Sequence, residues 1–448
     1  MSDEVRRQAH VIGGGLAGTE AAWQLAQRGV DVVLHEMRPV RSTPAHRTDH
    51  LGELVCSNSL GSDTFGSAPA LLKAEMRRLG SLVVASAERA RVPAGSALAV
   101  DREVFSAELT RRLEEHPRVT IVREEVTGLA GSLVLAAGPL TSEALAGRLR
   151  ELVGRDHLHF FDAAAPVVTR ESLDESRLFA ASRYGKGEGV YLNAPMDKAE
   201  YERFWLALRD AENAVLHLDQ ERSATFFEGC LPVEVLARRG EDALRYGPMK
   251  PVGLVDPRTG KRPWAVVQLR QDNVAGDLFN LVGFQTQLKW PEQKRVFALI
   301  PGLEHAEFVR LGVMHRNTFL AAPAFLEPSL GWRGRPDWFA AGTLIGVEGY
   351  TEAAATGLLA GLNLARALAG QEPVVLPPTT MLGALARYVS SCEPDVFQPM
   401  NSNWGLVGPL DPPVRDKRQR HEQMAERALA DLDRTLLEAG IATAAAVS

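Results

Sequence analysis

Apolar and polar residues near the start of the chain follow a strand–helix–strand pattern. Residues 10–12 form a short apolar run, and a Gly-rich turn follows at 13–18. Apolar positions at helical spacing then continue to Gly29, a residue type that often ends helices. A second apolar run at 30–35 ends at Glu36. The pattern predicts a βαβ unit with its glycines between the first strand and the helix.

Glycines in this turn stand at the three positions of a dinucleotide-binding fingerprint. Gly13 permits the tight turn, Gly15 lets the backbone approach a pyrophosphate, and Gly18 lets the helix pack on the strand. The helix amino end favours phosphate, and an acid after the second strand can accept hydrogen bonds from a ribose diol. The predicted cofactor-binding residues here are Gly13, Gly14, Gly15, Leu16, Ala17, Gly18 and Glu36. The fingerprint alone does not separate FAD from NAD(P).

The periodicity changes twice along the rest of the chain. Helices at 71–79 and 103–113 and strands at 119–122 and 133–139 continue an alternating α/β pattern. After about residue 161, short strand-like runs at 165–169, 189–193, 265–269 and 278–282 surround a helix at 198–213. This second region contains no further GxGxxG, and we interpret it as an inserted α+β domain.

Near the carboxyl end, a strand at 338–342 is followed by Gly-Val-Glu-Gly-Tyr-Thr-Glu and a helix at 353–369. This arrangement resembles the last FAD-contacting segment of glutathione-reductase-like flavoproteins, and it favours FAD over NAD. It adds Gly342, Gly349, Tyr350 and Thr351 to the predicted cofactor site. The predicted fold is α/β: a Rossmann-like FAD-binding domain of glutathione-reductase type, formed by 1–160 and 313–448 with a C-terminal helix, and an inserted α+β substrate domain at 161–312.

Composition narrows the class of protein. No run of 18 apolar residues occurs and the start has no secretory apolar segment, so we expect a cytoplasmic protein without a membrane span. The three cysteines lack CxxC spacing, which argues against a disulfide framework or a metal site. The net charge of −6 means that a nucleic-acid partner would require a local basic patch.

Two of the cysteines stand in settings that suit a reactive thiol. Cys56 lies in Glu-Leu-Val-Cys-Ser-Asn-Ser-Leu, soon after Glu36, and Cys230 lies between a glycine and a Leu-Pro pair that predicts an exposed turn. A thiolate is a strong nucleophile, yet a small buried hydrophobic role is the commoner fate of such a residue. Residue chemistry alone does not decide between a reactive thiol and a buried structural role. Cys392 matches no catalytic pattern, and we interpret it as structural.

Four strings in the second half mix amides, cations and aromatic residues: 245–253, 268–273, 283–290 and 314–318. Such a mixture suits stacking on a flat heterocycle and hydrogen bonding to its edges. The candidate substrate-binding residues are Lys250, Arg270, Gln285, Lys289, Trp290, His315 and Arg316. With Lys294 and Arg295, the cations among them could form the basic patch.

Together these strings resemble the folate- and FAD-dependent tRNA (uracil-5-)-methyltransferase family over nearly the whole chain. The contexts of Cys56 and Cys230 and the string Gly-Phe-Gln-Thr-Gln-Leu-Lys-Trp are the most specific features. The resemblance implies FAD reduced by NADH or NADPH, 5,10-methylenetetrahydrofolate as carbon donor, and methylation of carbon 5 of the uridine at position 54 in the tRNA T loop. It further implies that Cys230 adds to carbon 6 of the uracil and that Cys56 is a second thiol beside the flavin.

Two other functions fit part of the pattern. An FAD-dependent oxidoreductase acting on a small molecule would use the FAD site without Cys230 or a basic face. A non-catalytic FAD-containing tRNA-binding protein would use the basic face without the thiols. The sequence does not determine the oligomeric state.

Overall fold

The computed structural model describes residues 7–43, 45–154, 158–163, 165–185, 191–214, 231–312, 314–393 and 397–443, and gives the backbone alone at 158–163 and 314–318. Its strands are β1 Gln8–Ile12, β2 Asp31–Glu36, β3 Ser59–Ser62, β4 Arg91–Val92, β5 Ala97–Val100, β6 Val119–Arg123, β7 Leu133–Leu135, β8 Leu158–Ala163, β9 Val167–Thr169, β10 Phe179–Ala181, β11 Tyr191–Met196, β12 Ala265–Gln271, β13 Leu278–Leu281, β14 Phe308–Arg310, β15 Met314–Phe319, β16 Gly331–Trp332 and β17 Arg335–Ala340. Its α-helices are α1 Leu16–Gln27, α2 Ala68–Arg78, α3 Leu82–Arg89, α4 Arg102–Glu114, α5 Glu143–Val153, α6 Lys198–Arg209, α7 Val233–Arg238, α8 Ala243–Tyr246, α9 Trp290–Phe297, α10 Tyr350–Leu368, α11 Met381–Ser391 and α12 Lys417–Glu438.

A six-stranded sheet organises the first and last parts of the chain. Its strand order is β16-β17-β7-β1-β2-β6, and all of its neighbours are parallel except β16 and β17. The carboxyl ends of β1 and β2 lie at the same edge, because Ile12 pairs with His35 in register. The fold class predicted from the sequence, a Rossmann-type α/β sheet with an insertion, is confirmed.

The intervening chain forms a second sheet of different character. Its order is β10-β11-β12-β13-β9-β14, and every neighbouring pair is antiparallel. The chain leaves the first sheet and returns to it through the antiparallel pair β8 and β15. Each sheet is packed around a hydrophobic core of its own, which includes Leu34 and Leu358 in the first and Phe204 and Phe284 in the second.

Two glycines bring α10 unusually close to α1. A Cβ at Gly357 would lie 2.1 Å from the Ala17 carbonyl oxygen, and one at Gly361 would lie 2.5 Å from that of Ala21. Any residue with a side chain at these two positions would force the helices apart. This crossing sets the amino ends of both helices beside the same edge of the sheet.

Tertiary pairing changes the helix predicted at 198–213. The helix ends at Arg209, because the residues beyond it adopt an extended conformation against 287–289. Ala214 N–H donates to the Gln287 carbonyl at 2.8 Å, and Lys289 N–H donates to the Glu212 carbonyl at 3.0 Å. Among the helices that the structure describes, none has the length and apolar character needed to cross a bilayer.

Candidate functional site

The Gly-rich turn is shaped by two close backbone approaches. Gly13 has φ +106°, and a Cβ there would lie 2.4 Å from the Ala136 carbonyl oxygen. A Cβ at Gly18 would lie 1.8 Å from the carbonyl oxygen of Gly13 itself. Both positions therefore exclude a side chain for reasons internal to the protein.

Gly15 differs from these two residues because it faces open space. A Cβ built on it meets no atom within 4 Å. The same residue is the N-cap of α1, and no side chain of the described residues caps the first N–H groups of that helix. Uncapped N–H groups beside open space suit an anionic ligand, and the helix dipole adds to the attraction. The turn is therefore shaped for the phosphates of a dinucleotide.

Glu36 closes the other side of this space and is itself firmly held. Its Oε2 accepts the Gly14 N–H at 3.0 Å, and its Oε1 accepts the Arg38 N–H and Nε, both at 2.9 Å. Burial opposes ionisation, yet the hydrogen bonds and charge of Arg38 outweigh it and hold the pKa of Glu36 below its ordinary value. An ionised carboxylate with four lone-pair sites and three donors keeps capacity for a ribose hydroxyl.

A cleft extends from this turn to the start of α10. It is lined by Ile12–Ala17, His35–Arg38, His46, Glu53, Val55, Glu124–Val126, Ala136–Ser142, Leu145, Gly342, Thr343, Tyr350 and Ala353. The sequence-predicted residues Gly13 to Ala17, Glu36, Gly342 and Tyr350 therefore meet in one place. Gly349 is the N-cap of α10, while the Thr351 hydroxyl donates to the Leu60 carbonyl at 2.8 Å and ties α10 to β3.

Cys56 lies at the edge of this cleft against Tyr350. Its Sγ is 3.0 Å from the Tyr350 hydroxyl oxygen, which also accepts the N–H groups of Cys56 at 2.8 Å and Ser57 at 3.2 Å. The thiol is half-buried. The structure thus places one of the two predicted thiols beside the predicted flavin-contacting helix.

Three arginines hold the loop that carries Cys56, and we call them the arginine clamp. Arg102 donates to the Leu54 carbonyl at 3.3 Å, and Arg310 donates to the Val55 carbonyl at 2.9 Å. Arg270 donates to Asn58 Oδ1 and Ser57 Oγ, both at 2.9 Å. Arg270 and Arg310 belong to the inserted domain, so that domain helps to position the thiol loop of the first domain.

The chain just after Cys230 packs against two of the candidate substrate strings, 283–290 and 245–253. Val233 N–H donates to the Gln285 carbonyl at 2.8 Å, and the buried Glu234 carboxylate accepts the Thr286 hydroxyl at 2.9 Å and the Gln287 N–H at 2.8 Å. Burial raises the pKa of Glu234 despite these bonds. A Cβ at Gly283 would lie 2.7 Å from Pro248 Cβ, so the 245–253 string joins the group. Cys230 itself lies outside the described residues.

The other candidate substrate residues have varied settings. Lys250 is exposed, and Lys289 forms an ion pair with Glu212 at 2.6 Å. Trp290 begins α9 and is 62% exposed, which is unusual for its size. Arg270 is buried in the clamp rather than on a surface. His315 and Arg316 lie in β15, and their side chains fall outside the described residues. Substrate binding by these residues stays a prediction.

Sequence reasoning missed Arg102 and Arg310. Arg102 begins α4 directly after the capping Asp101, and Arg310 ends a three-residue strand. Neither stands in a motif, so only a three-dimensional arrangement could reveal their convergence on one loop. Asn58 was present in the Cys56 string, and its amide donates to the Val100 and Gln271 carbonyls at 3.0 Å each.

Cys392 lies away from this site, at the end of α11, where it is half-buried against the first core. Within the described residues, no three or more His, Cys, Asp or Glu side chains are grouped in a way that could hold a metal ion.

Comparison with known proteins places these features in a family. The pattern of the family described as glucose inhibited division protein A matches residues 8–372. The chain is 59% identical to the methylenetetrahydrofolate–tRNA-(uracil-5-)-methyltransferase TrmFO of Desulforudis audaxviator, over 96% of this chain and 98% of that protein. It is 56% identical to the TrmFO of Brevibacillus brevis, over 94% of this chain and 96% of that protein.

A solved structure of Aquifex aeolicus GidA has the same fold. It superposes with a TM-score of 0.68 at 17% identity and covers 97% of this chain and 76% of that one. The chain is 59% and 56% identical to these two methyltransferases but only 17% identical to GidA, so it groups with the methyltransferases. The chain belongs to the methylenetetrahydrofolate–tRNA-(uracil-5-)-methyltransferase family, TrmFO, within the broader glucose inhibited division protein A family.

Proposed function

We propose that this protein methylates carbon 5 of the uridine at position 54 in the tRNA T loop, with 5,10-methylenetetrahydrofolate as carbon donor and FAD reduced by NADH or NADPH. One observation carries the proposal: a cleft shaped for a dinucleotide ends at a half-buried thiol, in a chain 59% identical to proteins named for this reaction. The residues in the cleft fit FAD. The open backbone at Gly15 would receive the pyrophosphate, and Glu36 the ribose.

Bound FAD, once reduced, would supply the hydride equivalent that turns a transferred methylene group into a methyl group. The chain itself supplies the nucleophile. The Cys230 thiolate adds to carbon 6 of the uracil, which makes carbon 5 electron-rich, so that carbon 5 bonds to the donated methylene carbon and then loses its proton. The Sγ–carbon bond breaks when hydride reaches that methylene carbon and the double bond between carbons 5 and 6 re-forms. The contacts of Val233 and Glu234 with residues 285–287 hold the chain immediately after this cysteine.

The start of α10 and the Cys56 loop shape the other end of the reaction site. Tyr350 lies in the wall of the cleft and orients Cys56 through two contacts with that residue and one with the Ser57 N–H. Cys56 would therefore be the thiol that acts beside the flavin. The cations Lys250 and Lys289 and the exposed Trp290 would contact tRNA, through phosphate attraction and base stacking.

The test uses unmodified tRNA, NADH or NADPH, and methylenetetrahydrofolate labelled on the methylene carbon. We expect labelled 5-methyluridine in the T loop, and none in a transcript with cytidine at position 54. Flavin reduction without label in the RNA would reject the methyltransferase function and favour a small-molecule oxidoreductase.

The role of Cys230 is tested by comparing Cys230→Ala with Cys392→Ala. The first variant should lose methyl transfer by at least about a thousandfold while it retains FAD, because it lacks the sulfur that adds to carbon 6. The second removes a thiol remote from the cleft and should keep full activity. A fully active Cys230→Ala protein would show that the nucleophile is another residue.

A further inference from the structure

The hydrogen bonds of Tyr350 determine the direction of its hydroxyl proton. A phenol has one proton to donate and two lone pairs that accept. The N–H groups of Cys56 and Ser57 both donate to the Tyr350 oxygen, at 2.8 and 3.2 Å. Among the residues that the structure describes, the remaining close partner is Cys56 Sγ at 3.0 Å. The hydroxyl proton therefore points at the sulfur, which must act as acceptor.

Tyr350 keeps that proton throughout the neutral range. Burial raises the pKa of Tyr350 well above its ordinary value, and the neighbouring Cys56 raises it further. A neutral phenol that donates to sulfur stabilises the thiolate more than the thiol, because a hydrogen bond to the charged acceptor is the stronger one.

Positive charge around the Cys56 loop also stabilises the thiolate relative to the thiol. The clamp contributes Arg102, Arg270 and Arg310, while Asp272 forms an ion pair with Arg102 at 3.1 Å. On the loop's own side, Arg38 pairs with Glu53 at 3.1 Å. Burial chiefly lowers the pKa of Arg310 to about 10; the neighbouring Arg102 and Arg47 also lower it, while Asp272 opposes them. At neutral pH these guanidinium groups are charged and favour an anion among them.

We propose that Tyr350 and the arginine clamp are positioning residues that hold the Cys56 side chain as a thiolate at neutral pH. The hydroxyl supplies the hydrogen bond, and the clamp supplies the positive field and fixes the loop so that the bond stays aligned. Because Arg270 and Arg310 come from the inserted domain, the reactive form of the thiol depends on that domain being docked. The inference rests on the proposed function only for the catalytic role of Cys56, not for its thiolate state.

The test measures alkylation of Cys56 by iodoacetamide in the FAD-loaded protein. Cys230→Ala and Cys392→Ala together leave Cys56 as the single cysteine of the chain. Alkylation forms the Sγ–carbon bond and releases iodide, and its rate follows the thiolate fraction. Mass spectrometry of the Cys56 peptide gives this rate from pH 5 to 10.

In this background, Tyr350→Phe should slow alkylation at pH 7 about tenfold and move the pH profile to higher pH. Arg310→Gln should slow it about threefold to tenfold, whereas Arg310→Lys keeps the charge and should stay within about twofold of the parent. The matched control is Arg366→Gln. Arg366 also donates to backbone carbonyls, of Glu372 at 2.8 Å and Ala439 at 2.9 Å, on another part of the molecule.

Unchanged pH profiles in Tyr350→Phe and Arg310→Gln would overturn the inference, and so would equal effects of Arg310→Gln and Arg310→Lys. If Tyr350→Phe loses FAD, the comparison of Arg310→Gln with Arg310→Lys decides whether positive charge at this position stabilises the thiolate. Failure of the proposed function gives a different result. In that case the single-cysteine background would show the low-pH alkylation profile, while the unsubstituted protein, which keeps Cys230, would transfer no methyl group to tRNA.

Discussion

Buried ionisable side chains in this chain mostly serve to hold the backbone. Glu75 accepts the N–H groups of Met381 and Leu382 at the start of α11, at 2.7 and 2.8 Å. Lys73 donates to the carbonyls of Leu60, Ser62 and Pro69 at 2.8 to 3.1 Å. Burial without such partners would cost several kcal/mol, so each of these groups is tolerated only because hydrogen bonds satisfy it. Burial nevertheless raises the pKa of Glu75 to about 8. Lys73 thereby fixes β3, which follows the Cys56 loop.

Lys73 should make stability depend on pH in the alkaline range. Burial lowers the pKa of Lys73 from 10.5 to about 8. Between these values the unfolded chain binds the proton and the folded protein does not, so the free energy of unfolding rises with pH. Relative to Lys73→Met, the parent should gain up to about 3 kcal/mol between pH 8 and 10.5.

Urea unfolding at several pH values measures this difference. The exposed Lys198 provides the control, since Lys198→Met should show no such change. A parent-to-variant difference at Lys73 that stays constant over the whole range would contradict the assignment.

At the scale of elements, the crossing of α1 and α10 builds the cofactor cleft. The glycines of α10 lie directly on the α1 backbone at Ala17 and Ala21. The amino end of α1 presents the phosphate-binding turn, and the amino end of α10 presents Tyr350. The spacing of these two helices therefore sets the width of the site.

Gly357→Ala should destabilise the protein by about 3 kcal/mol or more and reduce its FAD content. The added methyl group would meet the Ala17 carbonyl at 2.1 Å, and backbone atoms cannot move away as a flexible side chain can. The matched control is Gly147→Ala in α5, where a Cβ meets nothing within 4 Å. That substitution should leave FAD binding intact and add up to about 1 kcal/mol of helix stability. Thermal unfolding and flavin absorbance check both, and equal behaviour of the two variants would rule out the close crossing.

At the scale of the whole molecule, two separately packed domains are joined at the thiol loop. Besides the clamp, Val274 N–H donates to Asp101 at 3.0 Å and the Tyr191 hydroxyl donates to the Ala94 carbonyl at 3.0 Å. These contacts are polar, and each domain keeps its own hydrophobic core. An interface of this kind allows the domains to separate without loss of either core.

Arg270→Met should weaken this junction and separate the unfolding of the two domains. The variant leaves Asn58 Oδ1 and Ser57 Oγ without their donor, at a cost of about 2–4 kcal/mol. Calorimetry should then show the inserted domain unfolding at a lower temperature, with FAD still bound, because the Gly13-to-Glu36 unit is untouched. A single transition accompanied by loss of FAD would contradict this division. Lys250→Met, an exposed change on the same domain, should keep the parent profile.

Local sequence determined much of the fold and part of the site. The βαβ unit with Gly13, Gly15 and Glu36 could be predicted because turn, helix and strand signals act between neighbouring residues. The inserted α+β domain could be recognised from the change in periodicity. The resemblance implied that Cys56 is a thiol beside the flavin, although no local signal indicated the Tyr350 hydroxyl as its partner.

The tertiary structure alone decided which distant residues meet. Arg102, Arg270 and Arg310 are far apart in sequence. Arg102 and Arg310 would pass for ordinary solvated arginines, and the sequence assigned Arg270 to a substrate surface rather than to the Cys56 loop. The end of α6 at Arg209 likewise depends on pairing with 287–289, which no helical pattern contains. Short-range preferences select the elements, whereas long-range hydrogen bonds and the exclusion of buried unpaired charge select their contacts. The chemistry proposed here arises where both kinds of constraint meet, at the loop that carries Cys56.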